Sequence, residues 1–243
     1  MNSNSETGHY KNVANLNALK VFAEGLGTEY TPQKDTLKIP NLTMLVDEAT
    51  VLHNAVRDQI NTVTLGVDSR QLVFENVKPL CTKVINTMGS TNVLPKTIED
   101  AKFINAKIQG FRIKKKTAAE NPEEENKSNS VSRQSYDSIY ENFKSLNNLI
   151  QQDSNYSPAE TDVNIAGLTT KENEMLVANQ NITSLTNDLS NKRILRNNRF
   201  YVGDESLIAV ASGVKKYIRG KYGVSSPQFA QIKNLIFKDL GIK

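Results

Sequence analysis

Residues 39–63 read IPNLTMLVDEATVLHNAVRDQINTV. Leu42, Leu45, Val46, Ala49, Leu52, Val56, Ile60 and Val63 recur at spacings of mostly three and four, the period of one helix face rather than the alternation of a strand. Pro40 stands at the entrance, where a residue without an N–H costs little because first-turn amides have no helical acceptor. A long amphipathic helix is expected here, and the same reading carries outward in both directions.

Upstream, Val13, Leu16, Leu19, Phe22 and Ala23 make a shorter helix that ends near Gly25 and Gly27. Downstream, Asp68 or Ser69 is expected to cap a third helix carrying Val73, Val77, Leu80, Val84 and Met88, stopped by Gly89. A fourth opens at Pro95 and presents Ile98, Ala101, Ile104 and Ile108 before Gly110. The period then breaks. Residues 111–135 hold a lysine run at 114–116, an acidic run at 123–125 and almost nothing apolar, so they cannot offset their chain entropy by burial. A flexible linker is expected there.

Helical spacing resumes with Tyr136, Ile139, Phe143, Leu146 and Ile150. A long helix follows from about Thr169 through Leu176, Ile182, Leu185 and Leu189. Another runs from about Asp204 through Leu207, Ile208, Ala211, Val214 and Ile218 to Gly223. The last opens at Ser226-Pro227, a cap followed by proline, and carries Ile232, Leu235 and Ile236.

The halves read as copies. Tyr30-Thr31-Pro32 matches Tyr156-Ser157-Pro158 at an offset of 126, where Ile39, Leu42 and Thr43 also meet Ile165, Leu168 and Thr169. Further on, the Gly89 and Gly223 stops lie 134 apart. The expected fold is therefore all-α: two similar antiparallel four-helix bundles, 1–110 and 136–243, made by internal duplication and joined by the 111–135 linker.

The segment Val214-Lys215-Lys216-Tyr217-Ile218-Arg219-Gly220-Lys221-Tyr222-Gly223, followed by Ser226 to Lys233, resembles the C-terminus of uncharacterised duplicated helical proteins of Bacteroidota. Leu26-Gly27 before Tyr30-Thr31-Pro32 is similar to their first inter-helix turn. That resemblance implies a helical fold and a bacterial source, and it brings no known activity.

Composition narrows the function. The 243 residues contain one Cys and two His, which excludes a disulfide scaffold and a His-rich metal centre. Trp is absent and aromatics are 7%, so the cores must be mostly aliphatic. No apolar run approaches the roughly 18–20 residues needed to span a bilayer, and the polar opening MNSNSETGHYKN lacks a signal peptide's apolar segment. A cytoplasmic location without membrane attachment is expected. Four N-x-S/T sequons, at Asn41, Asn126, Asn155 and Asn181, are about what 28 Asn and 36 Ser plus Thr produce by chance, and carry no sign of secretion.

No catalytic constellation has usable spacing. His53 has Ala49, Thr50, Val56 and Arg57 at the helical neighbour positions, so no ligand pair forms, and a structural histidine is expected. Cys81, between Leu80 and Val84, reads as a small hydrophobe. Gly25-Leu26-Gly27 lacks the remainder of a phosphate loop, and Asp47-Glu48 and Asp204-Glu205 suit first helical turns. Neither an enzyme nor a cofactor or metal site is expected.

Charge is the distinctive feature. Residues 192–243 carry +8 within a chain whose net charge is +4, which leaves −4 on the rest. Arg193, Arg196, Arg199, Lys215, Lys216, Arg219 and Lys221 are the candidate anion or nucleic-acid contacts, with Tyr201, Tyr217 and Tyr222 interleaved. The leading expectation is a non-catalytic interaction or scaffold protein that binds a protein partner or itself. The alternative is a nucleic-acid-associated protein using the basic quarter 192–243.

Overall fold

A computed structural model describes residues 6–111 and 134–241. Among them are eight α-helices and no strand: α1 (Thr7–Gly25), α2 (Ile39–Glu75), α3 (Val77–Met88), α4 (Pro95–Gln109), α5 (Tyr136–Gln151), α6 (Ile165–Tyr201), α7 (Leu207–Tyr222) and α8 (Pro227–Ile232). The all-α expectation holds. Pro95 and Pro227 both open their helices, and Ser226 Oγ accepts from Phe229 N at 3.1 Å, as the cap reading anticipated. Ser135 and Ser206 cap α5 and α7 in the same way. Gly110 ends α4 at φ +89°, a left-handed conformation that costs glycine little.

The helix expected to start at Asp68 or Ser69 does not start there. α2 continues through Gly66, Asp68 and Ser69 to Glu75, so it and α6 are each 37 residues long, about 55 Å at 1.5 Å per residue. Gly66 costs about 1 kcal/mol relative to alanine inside a helix. No proline stands there to force a break, and the apolar stripe carries the helix past it.

These two helices also redraw the domains. The chain forms one compact unit from Met1–Val63 with Leu185–Lys243 and a second from Thr64–Ser184. Separate bundles over 1–110 and 136–243 are not what forms, because α2 and α6 each contribute one end to either unit. In unit 1, Leu16, Leu19 and Ala23 of α1, Leu42 and Ala49 of α2 and Phe200 of α6 share a core with Leu207, Val214 and Ile218 of α7. In unit 2, Phe74, Val77, Val84 and Met88 share a core with Phe143, Leu146, Ile150, Leu168 and Met175. Cys81 lies wholly buried in it, and burial pushes its thiol up to about 12, which fits a packing role.

The expected linker lies outside the described residues except at its ends. Both ends belong to unit 2, where α4 packs on α5. Gln134 accepts from Lys78 Nζ at 2.6 Å and donates to Lys107 O at 3.2 Å, so it fastens the start of α5 to the end of α4. Residues 111–135 therefore reconnect one unit to itself.

Two turns are built alike. Tyr30 is buried and its hydroxyl donates to Leu37 O at 2.8 Å; Tyr156 donates to Val163 O at 2.8 Å across the same seven-residue interval. Burial raises both phenols, Tyr156 to about 12, so both stay protonated donors.

Candidate functional site

The candidate site lies in unit 1 around α7. Leu207, Val210, Ala211, Val214 and Ile218 turn inward. Ser212, Lys215, Lys216 and Arg219, at intervals of three and four, line up on another face. The last helix stops at Ile232, so Leu235 and Ile236, expected on it, lie on an extended segment instead. Side chains hold that segment in place of helical hydrogen bonds. Lys215 Nζ donates to Lys233 O at 3.0 Å and Leu235 O at 3.1 Å. Asn15 donates to Ile236 O at 2.8 Å, while Asn12 donates to Lys238 O at 2.7 Å and accepts from Lys238 N at 3.1 Å.

Between α7, α8 and this strap lies a groove of about 470 Å³. Ile208, Phe229, Leu235 and Phe237 are half-buried and pack on the unit 1 core, which gives the groove an apolar floor. Lys216 and Arg219 are exposed on its rim, Lys215 is half-buried, and burial lowers the Lys215 pKa from the ordinary lysine value. Ile236, 61% exposed, completes the lining opposite.

The other predicted cations are occupied. Arg196 is 2% exposed and pairs with Glu6, so it is no surface contact for an external polyanion. Arg193 approaches the same carboxylate at 3.5 Å. Arg199 donates to Glu48 at 2.7 Å and also to Glu205 O. Lys221 donates to Glu29 O. Of the seven, Lys215, Lys216 and Arg219 converge on this depression, whereas Arg193, Arg196 and Arg199 are held in internal ion pairs. Carboxylates 150 and 190 residues away in sequence neutralise them, which the charge count of 192–243 cannot reveal.

A second polar cluster surrounds Arg196. His9 Nδ1 shares a 2.7 Å hydrogen bond with the Tyr201 hydroxyl, which also accepts from Asn12 at 3.3 Å. Burial, assisted by Arg196, lowers His9 to about 4, so it is neutral near pH 7. Tyr201 rises to about 12, chiefly through burial. His53 is 4% exposed and sits 5.5 Å from the Tyr10 ring; its Nδ1 has no hydrogen-bond partner, and burial lowers its pKa. Sequence reasoning gave His53 a structural role and His9 none; the structure buries both. Among the described residues no group of three or more His, Cys, Asp or Glu could hold a metal ion. None of the described helices is long and apolar enough to cross a membrane.

The fold and site thus define an all-helical protein of two compact units, one bearing a basic-rimmed apolar groove. No family model, curated protein or solved structure matches the chain.

Proposed function

We propose that this chain is a non-catalytic binding or scaffold protein, built by internal duplication, that engages a protein partner through unit 1. The carrying observation is the division of the basic residues: Arg193, Arg196 and Arg199 are spent on internal carboxylates, whereas Lys215, Lys216 and Arg219 border an apolar groove. A phosphate backbone is met by many dispersed exposed cations, a protein surface by an apolar centre with a charged rim. The division favours the second.

Duplication is supported by burial, which refines the offsets. At 126, Leu42, Ala49 and Val56 correspond to Leu168, Met175 and Ile182, all buried. At 127, Leu16, Leu19 and Ala23 correspond to Phe143, Leu146 and Ile150. At 130, Val77, Cys81, Val84 and Met88 correspond to Leu207, Ala211, Val214 and Ile218. The 134-residue match of Gly89 with Gly223 is not an equivalence on this reading, because α7 carries an additional turn after Ile218. On the same footing, the Bacteroidota-like segment 214–233 suits a bacterial cytoplasmic protein without a resident cofactor.

The test is affinity purification of the tagged full chain, with nuclease treatment, beside anisotropy titrations with labelled DNA and RNA. A stoichiometric protein partner that survives nuclease, with no saturable oligonucleotide binding at physiological salt, is expected. Micromolar oligonucleotide binding with a steep salt slope, lost in the Lys216→Ala/Arg219→Ala variant, would instead establish the nucleic-acid alternative.

A further inference from the structure

Resting on that binding reading, we propose that the unit 1 groove between α7, α8 and the 233–241 strap receives an acidic amphipathic helix from a different protein. Ser212, Lys215, Lys216 and Arg219 occupy relative positions 0, 3, 4 and 7 on α7, so the helix presents one polar, cationic stripe along the groove. Among the described residues Lys216 and Arg219 have no carboxylate partner, and no acidic residue lines the groove. The local field is positive and uncompensated, which selects an occupant bearing carboxylates.

The floor selects its other face. Phe229 and Phe237 with Ile208 and Leu235 offer apolar surface that stays partly exposed although it packs on the core beneath. An occupant with Leu- or Phe-like anchors takes that apolar surface out of water, which favours association. The groove is also open: Lys216, Arg219 and Ile236 are all exposed, so a bound molecule keeps one side in water. Small apolar ligands favour sites that enclose most of their surface, whereas an amphipathic helix lies in a groove with its polar face wet. Carboxylates flanking the anchors would reach Lys216 and Arg219, and Lys215 would keep holding the strap.

The strap makes the groove rigid before binding. Its backbone is held at Lys233, Leu235, Ile236 and Lys238 by Lys215, Asn15 and Asn12. Such preorganisation lowers the ordering cost of association.

The experiment places a benzophenone amino acid at Ser212, in the groove, and in separate full-length proteins at the exposed positions Lys102 and Asn148 of unit 2. Each is irradiated in the native cell, and adducts are identified by mass spectrometry. The expected adduct at 212 is a segment of another protein, acidic and with apolar residues at helical spacing. It disappears in the Lys216→Glu/Arg219→Glu variant, whose thermal unfolding midpoint matches the parent. A fluorescein-labelled synthetic copy of that segment then binds the parent at least tenfold more tightly than the double variant, and more weakly as salt rises. Ile236→Glu, an exposed change, weakens it as well.

An adduct at 212 with a second copy of this chain, with nucleic acid, with a lipid or with a basic segment overturns the proposal. So does silence at 212. Protein adducts at 102 or 148 with silence at 212 overturn the groove and the unit 1 assignment and leave only the protein-binding role standing; silence at all three positions overturns that as well.

Discussion

Units 1 and 2 solve the same packing problem with different fourth elements. In unit 2, α4 runs 15 residues, buries Ala101 and Ile108, and donates from Gln109 Nε2 to Lys78 O at 2.9 Å. In unit 1, α8 runs six residues and gives way to the strap. Under the proposed duplication Lys215 corresponds to Ile85 of unit 2, which is buried. An apolar side chain there goes with a covering helix; a lysine there holds two strap carbonyls and leaves Phe229 and Phe237 half open. Unit 1 thus bears a groove where its last helix is short and a lysine fastens the segment that follows.

A second contrast concerns two arginines, one in each unit. Arg196 is buried against Glu6, whereas Arg70, 126 residues earlier, lies with its guanidinium carbon 4.2 Å from the centre of the Tyr136 ring. Under the proposed duplication His9 corresponds to Tyr136. One unit places an ion pair at the end of its bundle and the other a cation–aromatic contact.

The largest effect expected concerns chain connectivity. A protease site inserted between Glu124 and Glu125 and cut to completion should leave the two fragments co-eluting in size-exclusion chromatography, because each unit needs both halves of the chain. Two fragments that separate while retaining full helical circular dichroism would restore the independent-bundle picture. Next, Arg196→Met should cost about 2–3 kcal/mol in urea unfolding, since it leaves the Glu6 carboxylate only the longer contact with Arg193. Arg70→Met should cost about 1 kcal/mol. Equal losses would erase the contrast between the arginines.

Acid should act on unit 1 through His9. Its folded pKa, about 4, lies below the ordinary 6.5, so folding favours the neutral ring. The contribution is complete above pH 6.5 and drains away as pH falls toward 4, by at most about 3 kcal/mol. Urea unfolding from pH 7 to 4 should show that decline, and His9→Gln should flatten it; an unchanged slope would show that His9 titrates normally. The smallest effect sharpens the likeness. Tyr30→Phe and Tyr156→Phe each remove one buried hydroxyl donor and should each cost about 1–2 kcal/mol, within a few tenths of one another. A large inequality would mean that the two turns only look alike.

Much of the fold was legible because helices advertise themselves locally. The stripe from Leu42 to Val63, the cap-and-proline pair Ser226-Pro227 and the Gly110 stop act within a few residues, and each element formed where they point. The misses share a cause. Gly66 with Asp68 and Ser69 has the composition of a boundary, yet the stripe runs through it. Leu235 and Ile236 continue a helical spacing, but Lys215, Asn15 and Asn12 take over the backbone bonds of residues 233–238. At the candidate site, Lys215, Lys216 and Arg219 were visible as charge, while their apolar floor was not, since Ile208, Phe229 and Phe237 come from separate elements.

By itself, then, the sequence determined the helical class, most helix ends, the buried face of most helices and the paired Tyr turns, because these follow from backbone periodicity and from hydrogen bonds made within a turn or two; on α6 it missed the buried Met175 and Arg196. Only the tertiary structure decided which helices share a core. An apolar stripe states that a face must be covered without naming the cover, and α1 joined α7 while α4 joined α5. It also decided which charges stay available. Glu6 and Arg196 lie 190 residues apart and become one ion pair through folding, and what that pairing leaves over is the cationic rim of the groove.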